Sequence, residues 1–373
     1  MTHKILLVIT KILGHLINTK SNRIIFRSMN STRYNCNPKY ISEYLSNHYN
    51  GKFDIIWVLN DKEKYSFLKN DNIKITPSKS LKTTYYYLSS KFIVDNNGAP
   101  KYISYKNDQI IINTWHGGGS YKKRENDVVK KEPIEIYTKY LSSCRSFSVN
   151  NLINCYDNID KSIIFETGSP RNDIFFNKAE IQNAKKKVKK YLGVDDNTKI
   201  ILYAPTYKEN ENNSKTYTLE TDKIIKAFQQ RFGGEYVFAI RDHKYSHMKY
   251  NITSNSKLIN TDSYDDLQEV ICASDAVITD YSSIMWDVSF TDIPCFIYAN
   301  DIDEYVNSRN FYTPIEKWPF PVAKNIDELK NNILNFDEQK YNENIKEHHK
   351  NLGSFENGNA CQQVCNYIIK NCK

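Results

Sequence analysis

The order of elements along this 373-residue chain predicts an α/β protein of two doubly wound, Rossmann-like domains, each a parallel sheet flanked by helices. Three observations carry that prediction. Short apolar runs alternate with helix-like spacing from one end of the chain to the other. The length exceeds one domain and suits two of ~150–190 residues each. No internal repeat or low-complexity segment points to another architecture.

Taken in order, Asn22–Phe26, Phe53–Val58, Phe92–Asp95 and Gln109–Asn113 read as strands, with helices over Pro38–Tyr49 and Lys79–Ser90. Further strands are expected at Ser146–Val149, Ile163–Phe165, Lys199–Tyr203, Tyr236–Ile240, Ala276–Ile278 and Pro294–Tyr298. The stretch between Asp173 and Lys199 is a polar helix without a strand, which places the domain boundary there: 21–178 and 179–373. Such domains facing each other across a cleft would take ligands at the C-terminal ends of their strands. Residues 1–20 stand apart. Apolar positions 5, 9, 12 and 16 share one helical face, with Lys4 and Lys11 in the same stretch. A helix lying in a membrane interface and a packed first helix both fit that pattern. The apolar run of about 13 residues is interrupted by Lys11 and is too short to span a bilayer. No small-residue cleavage site follows it, which argues against a secretory signal.

Charged residues make up 25% and hydrophobic ones 40%, the balance of a folded soluble protein, and 28 Tyr and 17 Phe are enough to fill two cores. The net charge of +8 would suit nucleic acid, an anionic membrane or a phosphorylated substrate. The basic residues form no aromatic-interleaved stripe, which disfavours nucleic acid. Their densest cluster, Lys185–Lys190, reads first as a solvated helix face and second as a membrane-facing patch. Eight cysteines without a CxxC pair read as reduced, mostly buried thiols of a cytosolic protein. No metal site is evident and no cofactor is expected; Asp301-Ile-Asp303 has a DxD spelling but reads as solvated surface.

Three segments carry chemistry. The strand at Gln109–Asn113 runs into Thr-Trp-His116-Gly117-Gly118-Gly119, and three of the chain's 12 glycines are consecutive there. Successive glycines let a backbone approach an anion, His116 at a strand end can act as a base near neutral pH, and Lys122 follows at a spacing suited to phosphate. A flexible turn with a surface histidine is the bland alternative. Arg241-Asp-His243 follows a strand in the second half and supplies a further Arg and His. Asp280-Tyr-Ser282-Ser283 follows another strand, and either serine fits a helix N-cap whose first-turn N–H groups suit a diphosphate. Thr206 and Arg171 lie in turns after strands, and taken alone each reads first as a plain strand-ending turn.

Together these segments resemble the CDP-glycerol glycerophosphotransferase family of teichoic-acid primases and polymerases, which serve cell-wall and capsule synthesis. The resemblance runs in order through Ile24–Ser28 with Asn37-Pro38, Thr114–Gly117, Gly168–Asp173, Leu202–Thr206, Arg241–His243, Ile278–Ser283 and Tyr298–Tyr312. It implies a GT-B fold with an acceptor-side first domain and a donor-nucleotide-binding second domain. It also implies peripheral attachment at the cytoplasmic face of the membrane. His116 is similar to the family's proposed base and His243 to its second essential histidine. Thr206, Arg241, Asp280, Ser282 and Ser283 fall where the family holds the donor; Gly117, Gly118, Lys122 and Arg171 are expected on the anion and acceptor side. Two departures flank the site: Gly118-Gly119-Ser120 stands where Thr-Pro usually follows Trp-His-Gly, and Lys244 stands where Pro usually follows the second histidine.

The expected reaction is attack of an acceptor hydroxyl on the distal phosphorus of CDP-glycerol, with release of CMP. The acceptor would be a lipid-linked glycan or teichoic-acid-type chain at a membrane surface. A CDP-ribitol donor, a GT-B sugar-nucleotide glycosyltransferase and a non-enzymatic peripheral membrane protein are the competing readings.

Overall fold

The apolar runs fold into two all-parallel sheets in the computed structural model, which describes residues 3–123, 136–156, 159–206, 216–241, 249–252, 258–308 and 310–372. The chain divides into two compact units: Met1–His116, Asn126–Asp173 and Phe355–Lys373 form the first, Gly117–Glu125 and Ile174–Ser354 the second. The end of the chain thus returns to the unit in which it began.

The first unit contains α1 (His3–Leu16), β1 (Lys20–Arg27), α2 (Cys36–His48), β2 (Asp54–Val58), β3 (Lys74–Thr76), α3 (Leu81–Ser89), β4 (Ser90–Asp95), β5 (Ile110–Asn113), β6 (Lys139–Leu141) and β7 (Ile164–Phe165). Strand order is β3-β2-β1-β4-β5-β6-β7. Alternate residues Ile24, Phe26, Ile55, Trp57, Phe92, Val94, Ile110 and Ile112 join one core with Ile41 and Leu45 of α2 and with Val364 and Ile368 of the C-terminal helix, Ala360–Lys370. Their neighbours Ile25, Ile56, Ile93 and Ile111 are buried too. A sheet covered on both faces needs such continuous apolar runs, and each fully buried aliphatic side chain contributes about 1.5–3 kcal/mol.

The segment Gly168–Asp173 explains how the C-terminal helix is held. Asp173 accepts the N–H groups of Ala360 (3.0 Å) and Cys361 (2.7 Å), and Glu356 accepts those of Ser169 (2.9 Å) and the Asn172 amide (3.2 Å). Gly168 sits at φ +83, with Glu356 Oε2 2.9 Å from where a Cβ would stand.

The second unit contains α4 (Lys178–Leu192), β8 (Lys199–Tyr203), β9 (Thr216–Leu219), α5 (Thr221–Phe232), β10 (Tyr236–Ile240), β11 (Lys249–Ile252), β12 (Leu258–Asn260), α6 (Leu267–Ala273), β13 (Ala276–Thr279), α7 (Ile284–Val288), β14 (Cys295–Tyr298), α8 (Ile302–Ser308), β15 (Val322–Ala323), α9 (Ile326–Leu334) and α10 (Glu338–Leu352). Its main sheet runs β12-β10-β8-β13-β14-β15, and β9 and β11 pair separately. The lysine cluster of α4 is divided: Lys186, Lys187 and Lys190 are exposed, as a solvated face requires, while Lys185, Lys187 and Lys189 are held by neighbours. Lys185 pairs with Asp275 (3.1 Å), Lys187 with Glu269 (2.8 Å), and buried Lys189 donates to the carbonyls of Asp195, Asp196 and Thr198.

The strand expected at Ser146–Val149 is helical instead, within Arg145–Phe147 and the following turn Ser148–Ile153. Cys144 Sγ accepts the Phe147 N–H at 3.4 Å and caps the turn; Phe147 and Leu152 are buried while Val149 faces outward. The strand that joins the sheet there is β6, only three residues long and too short for a period to register. All eight cysteines are free thiols.

Candidate active site

In the first sheet the strand succession reverses between β1 and β4, and doubly wound sheets take ligands at the loops leaving such a switch. Ser28 follows β1, Asn96 follows β4, and His116 lies three residues beyond β5. Ser28 Oγ donates to Asn35 Oδ1 (2.6 Å) and accepts from Asn96 Nδ2 (3.1 Å), while Asn96 Oδ1 accepts the Met29 N–H (3.1 Å). So fixed, the Asn96 main-chain carbonyl lies 2.7 Å from His116 Nδ1. A carbonyl oxygen only accepts, so Nδ1 carries the proton and Nε2 of the neutral ring is the basic nitrogen. The Trp115 ring stacks on the imidazole at 4.7 Å.

This turn is strained. Trp115 holds φ +53, a left-handed conformation costing about 1–3 kcal/mol for a bulky residue unless its surroundings dictate it. Of the seven non-glycine residues with positive φ among the described residues, five are Met29, Asn30, Ser31, Cys36 and Trp115. They lie in the β1 loop, at the start of α2 and in the His116 turn, so strain concentrates on this side of the sheet. Arg171 belongs to the same neighbourhood: its side chain is buried, a guanidinium N–H reaches Cys36 Sγ at 3.4 Å, and its main-chain N–H donates to Asn37 Oδ1 (3.0 Å).

In the second sheet the succession reverses between β8 and β13. Thr206 beyond β8 and Asp280 beyond β13 meet there. Asp280 Oδ1 accepts the Thr206 N–H (2.8 Å), the Thr206 hydroxyl and the Tyr281 N–H (2.6 Å). Lys122 Nζ donates to Thr206 Oγ1 at 3.4 Å and lies 5.8 Å over the Tyr305 ring. Ser282 and Ser283 open α7, which has only five residues; Ser283 takes the N-cap position without a side-chain capping bond, and Ser282 Oγ accepts the Ile284 N–H at 3.4 Å. Arg241, at the end of β10, is buried with its N–H groups on the carbonyls of Thr261 (3.0 Å), Tyr264 (2.9 Å) and Asp265 (3.1 Å). It holds the 261–265 turn. His243 lies outside the described residues.

The glycine run is explained partly by packing. Gly117 begins the second unit's first segment and is half-buried, whereas Gly118 is buried against Trp286 and leaves no room for a Cβ. The run leads into Tyr121–Lys123, which pairs with Asn310–Tyr312 through Lys123 N–H to Asn310 O (3.2 Å) and Tyr312 N–H to Tyr121 O (2.9 Å). The tail block Asn310-Phe-Tyr312 therefore anchors the segment carrying Lys122. Tyr121 OH meets His348 Nε2 at 2.8 Å, and Ser289 Oγ meets His349 Nε2 at 2.7 Å. Burial holds both imidazoles down at about 4, with His349 adding to the effect on His348.

That burial predicts acid sensitivity. Each imidazole is kept neutral in the fold below its unfolded value of 6.5, so the folded state binds fewer protons than the unfolded chain between pH 6.5 and 4. Stability is full above pH 6.5 and is lost as pH falls toward 4, by on the order of 2–3 kcal/mol per imidazole. Denaturant unfolding followed by Trp fluorescence from pH 7.5 to 4.5 should show this loss, and a His348→Gln, His349→Gln protein should show less of it. An equal slope in both proteins contradicts the assignment.

Among the described residues, no group of three or more His, Cys, Asp or Glu side chains is placed to hold a metal ion. The DxD spelling reads differently here, since Asp301 accepts the buried Tyr281 hydroxyl at 2.9 Å.

The family model described as CDP-glycerol:poly(glycerophosphate) glycerophosphotransferase matches residues 9–370. The chain belongs to this family. It is 31% identical to a teichoic acid poly(glycerol phosphate) polymerase of Staphylococcus epidermidis over 95% of its own length and 52% of that protein's. It is 28% identical to the polymerase of the same name from Bacillus spizizenii, over 97% of this chain and 95% of that one. It thus spans about half the length of the first relative and nearly all of the second. A solved structure of the wall teichoic acid polymerase TagF superposes with a TM-score of 0.80 at 25% identity, covering 98% of this chain and 92% of that one. Membership places a transferase on two Rossmann-like, GT-B-type units. Sequence reasoning singled out His116, Thr206 and Asp280 but passed over Asn96 and gave Ser28, the last residue of the Ile24–Ser28 block, no role; both frame His116. Both follow strands adjoining the switch, and for Asn96 that position was the signal available.

Proposed function

We propose that the protein transfers glycerol phosphate from CDP-glycerol to a hydroxyl of a lipid-linked glycan or teichoic-acid-type acceptor, releasing CMP at the cytoplasmic face of a membrane. The observation that carries this reading is His116, held by the Asn96 carbonyl in the tautomer whose Nε2 can take a proton. His116 accepts the proton of the acceptor hydroxyl as its oxygen attacks the distal phosphorus of the donor. In the second unit, Ser282 and Ser283 supply hydroxyl donors for the diphosphate, and Thr206, whose hydroxyl donates to Asp280, holds Lys122 beside them as the cation. Asp280 sets the Thr206 turn, and Arg241 contributes by holding the 261–265 turn at the C-terminal end of the sheet. His243 acts as the second histidine. Gly117 and Gly118 carry the chain on from His116, Gly118 passing close against Trp286, and Arg171 supports the His116 loop through Asn37. Such a site works by positioning and electrostatics, which is what phosphoryl transfer demands.

Relatives support glycerol over ribitol: those named for glycerol phosphate are 31% to 26% identical, those named for ribitol phosphate 23% or less. The TagF structure prepared with a CDPG soak supports a cytidine diphosphate donor. Presenting CDP-glycerol, CDP-ribitol and UDP- and GDP-sugars with a lipid-linked acceptor tests the reading. CMP from CDP-glycerol is expected, whereas UDP or GDP from a sugar nucleotide would favour a glycosyltransferase.

Membrane attachment rests on α1. Its buried residues are Thr10 and Gly14, with Thr10 Oγ1 on the Tyr102 carbonyl (3.1 Å) and Gly14 against Leu88 and Lys106. The exposed face carries Ile5, Val8, Ile9, Ile12 and Leu16, within roughly a 100° arc. A helix that turns its apolar side outward fits a lipid interface, and Lys4 and Lys11 suit anionic headgroups. Among the described residues, no helix is long and apolar enough to cross a membrane. Replacing Val8 and Ile12 with aspartate should cut binding to anionic vesicles by at least about tenfold while sparing turnover of a water-soluble acceptor. Unchanged sedimentation with vesicles would refute the attachment.

A further inference from the structure

We infer that Asn37 is a positioning residue that sets the protonation geometry of His116, a role resting on the base assignment made above for His116. Asn37 lies in the first turn of α2 and is 1% exposed. Its amide Nδ2 donates to both the Thr114 carbonyl (2.9 Å) and the Trp115 carbonyl (3.0 Å), and its Oδ1 accepts the Arg171 main-chain N–H (3.0 Å). The two carbonyls bracket Trp115, the residue at φ +53 immediately before His116. Asn113 Oδ1 accepts the Trp115 N–H from the other direction at 2.9 Å.

A left-handed aromatic residue persists only where its surroundings dictate it, and these three bonds do so. The left-handed turn is what carries the chain from β5 to the point where His116 Nδ1 meets the Asn96 carbonyl. Asn37 therefore acts on the tautomer of His116 through the backbone, without touching the imidazole. Only a carboxamide meets its demands of two donors toward carbonyls and one acceptor toward an N–H, and glutamine would carry that group one methylene farther in a volume closed to solvent. Aspartate is the same size yet would oppose two carbonyl oxygens with a carboxylate.

The test is ¹⁵N-histidine NMR of the full chain, with the His116 resonances assigned from the His116→Ala protein, together with steady-state kinetics. In the unsubstituted protein at pH 7.5, His116 should show a protonated Nδ1 and an unprotonated Nε2. Asn37→Ser and Asn37→Asp should lose that preference and reduce kcat by about 100-fold, the usual cost of misplacing a reacting group by about an ångström. KM for CDP-glycerol should stay within about threefold. The inference is overturned if the His116 shifts are unchanged in a folded Asn37 variant, whatever happens to its rate. It is overturned equally if the unsubstituted protein carries the proton on Nε2, a measurement that needs no variant to fold. The spectrum reads positioning without substrate, so normal CMP release by His116→Ala would sink the base assignment and leave this result standing.

Discussion

Alanine at position 116 should leave the protein folded and lower CMP release from CDP-glycerol by about 10²–10⁴-fold, the contribution of one well-placed base. The structural cost is small because the ring is half-buried, and its losses include the hydrogen bond to the Asn96 carbonyl and the stacking contact with Trp115. Such losses amount to about 1–2 kcal/mol. The chemical cost is large because Nε2 is the basic atom that this framework presents. Initial rates at saturating donor, read beside the thermal unfolding midpoint, separate the two. A rate within threefold of the unsubstituted protein at an unchanged midpoint removes His116 from the chemistry.

Gly118→Ala should produce the largest loss of stability. An ideal Cβ there stands 1.9 Å from Trp286 Cδ1 and 2.7 Å from its Cγ and Nε1. Trp286 has no exposed surface, and the rings of Phe290, His348 and His349 lie against it at 5.1, 6.4 and 5.4 Å. Moving that indole means repacking the whole aromatic cluster, and overpacking of this kind costs about 1–3 kcal/mol or more. At about 2–4 °C per kcal/mol for a unit of this size, the midpoint should fall by roughly 4–10 °C. Calorimetry decides it. An unchanged midpoint combined with lost turnover would mean that position 118 is glycine for a ligand's sake rather than for Trp286.

The fold was legible where burial writes itself into composition. β1, β2, β4, β5, β8, β10, β13 and β14 each contain a short continuous apolar run that is buried in the sheet. β3, β6, β12 and β15 have two or three residues and carry no period. Ser146–Val149 alternates like a strand, but Phe147 and Leu152 share the buried side of a helical turn capped by Cys144. The return of residues 355–373 to the first unit depends on Asp173 and Glu356, partners more than 180 residues apart, and no local pattern announces it.

The candidate site divides along the same line. His116, Thr206 and Asp280 stood out because they follow strands and belong to ordered motifs. Asn96 lay in none of those motifs, and Asn37, though within the Asn37-Pro38 block, received no role there, because one acts through its main-chain carbonyl and the other through carbonyls 77 and 78 residues away. The glycine run after His116 read as a cradle for an anion; the structure adds a packing reason for Gly118, while Lys122 remains beside Thr206.

The most direct test of phosphopolyol transfer is the product itself. ³¹P NMR and mass analysis of a lipid-linked acceptor incubated with CDP-glycerol and the purified protein should show one new phosphodiester and the mass of one glycerol phosphate for each CMP released. An acceptor that gains a glycosidic unit without phosphorus, or CDP rather than CMP in solution, would contradict the account.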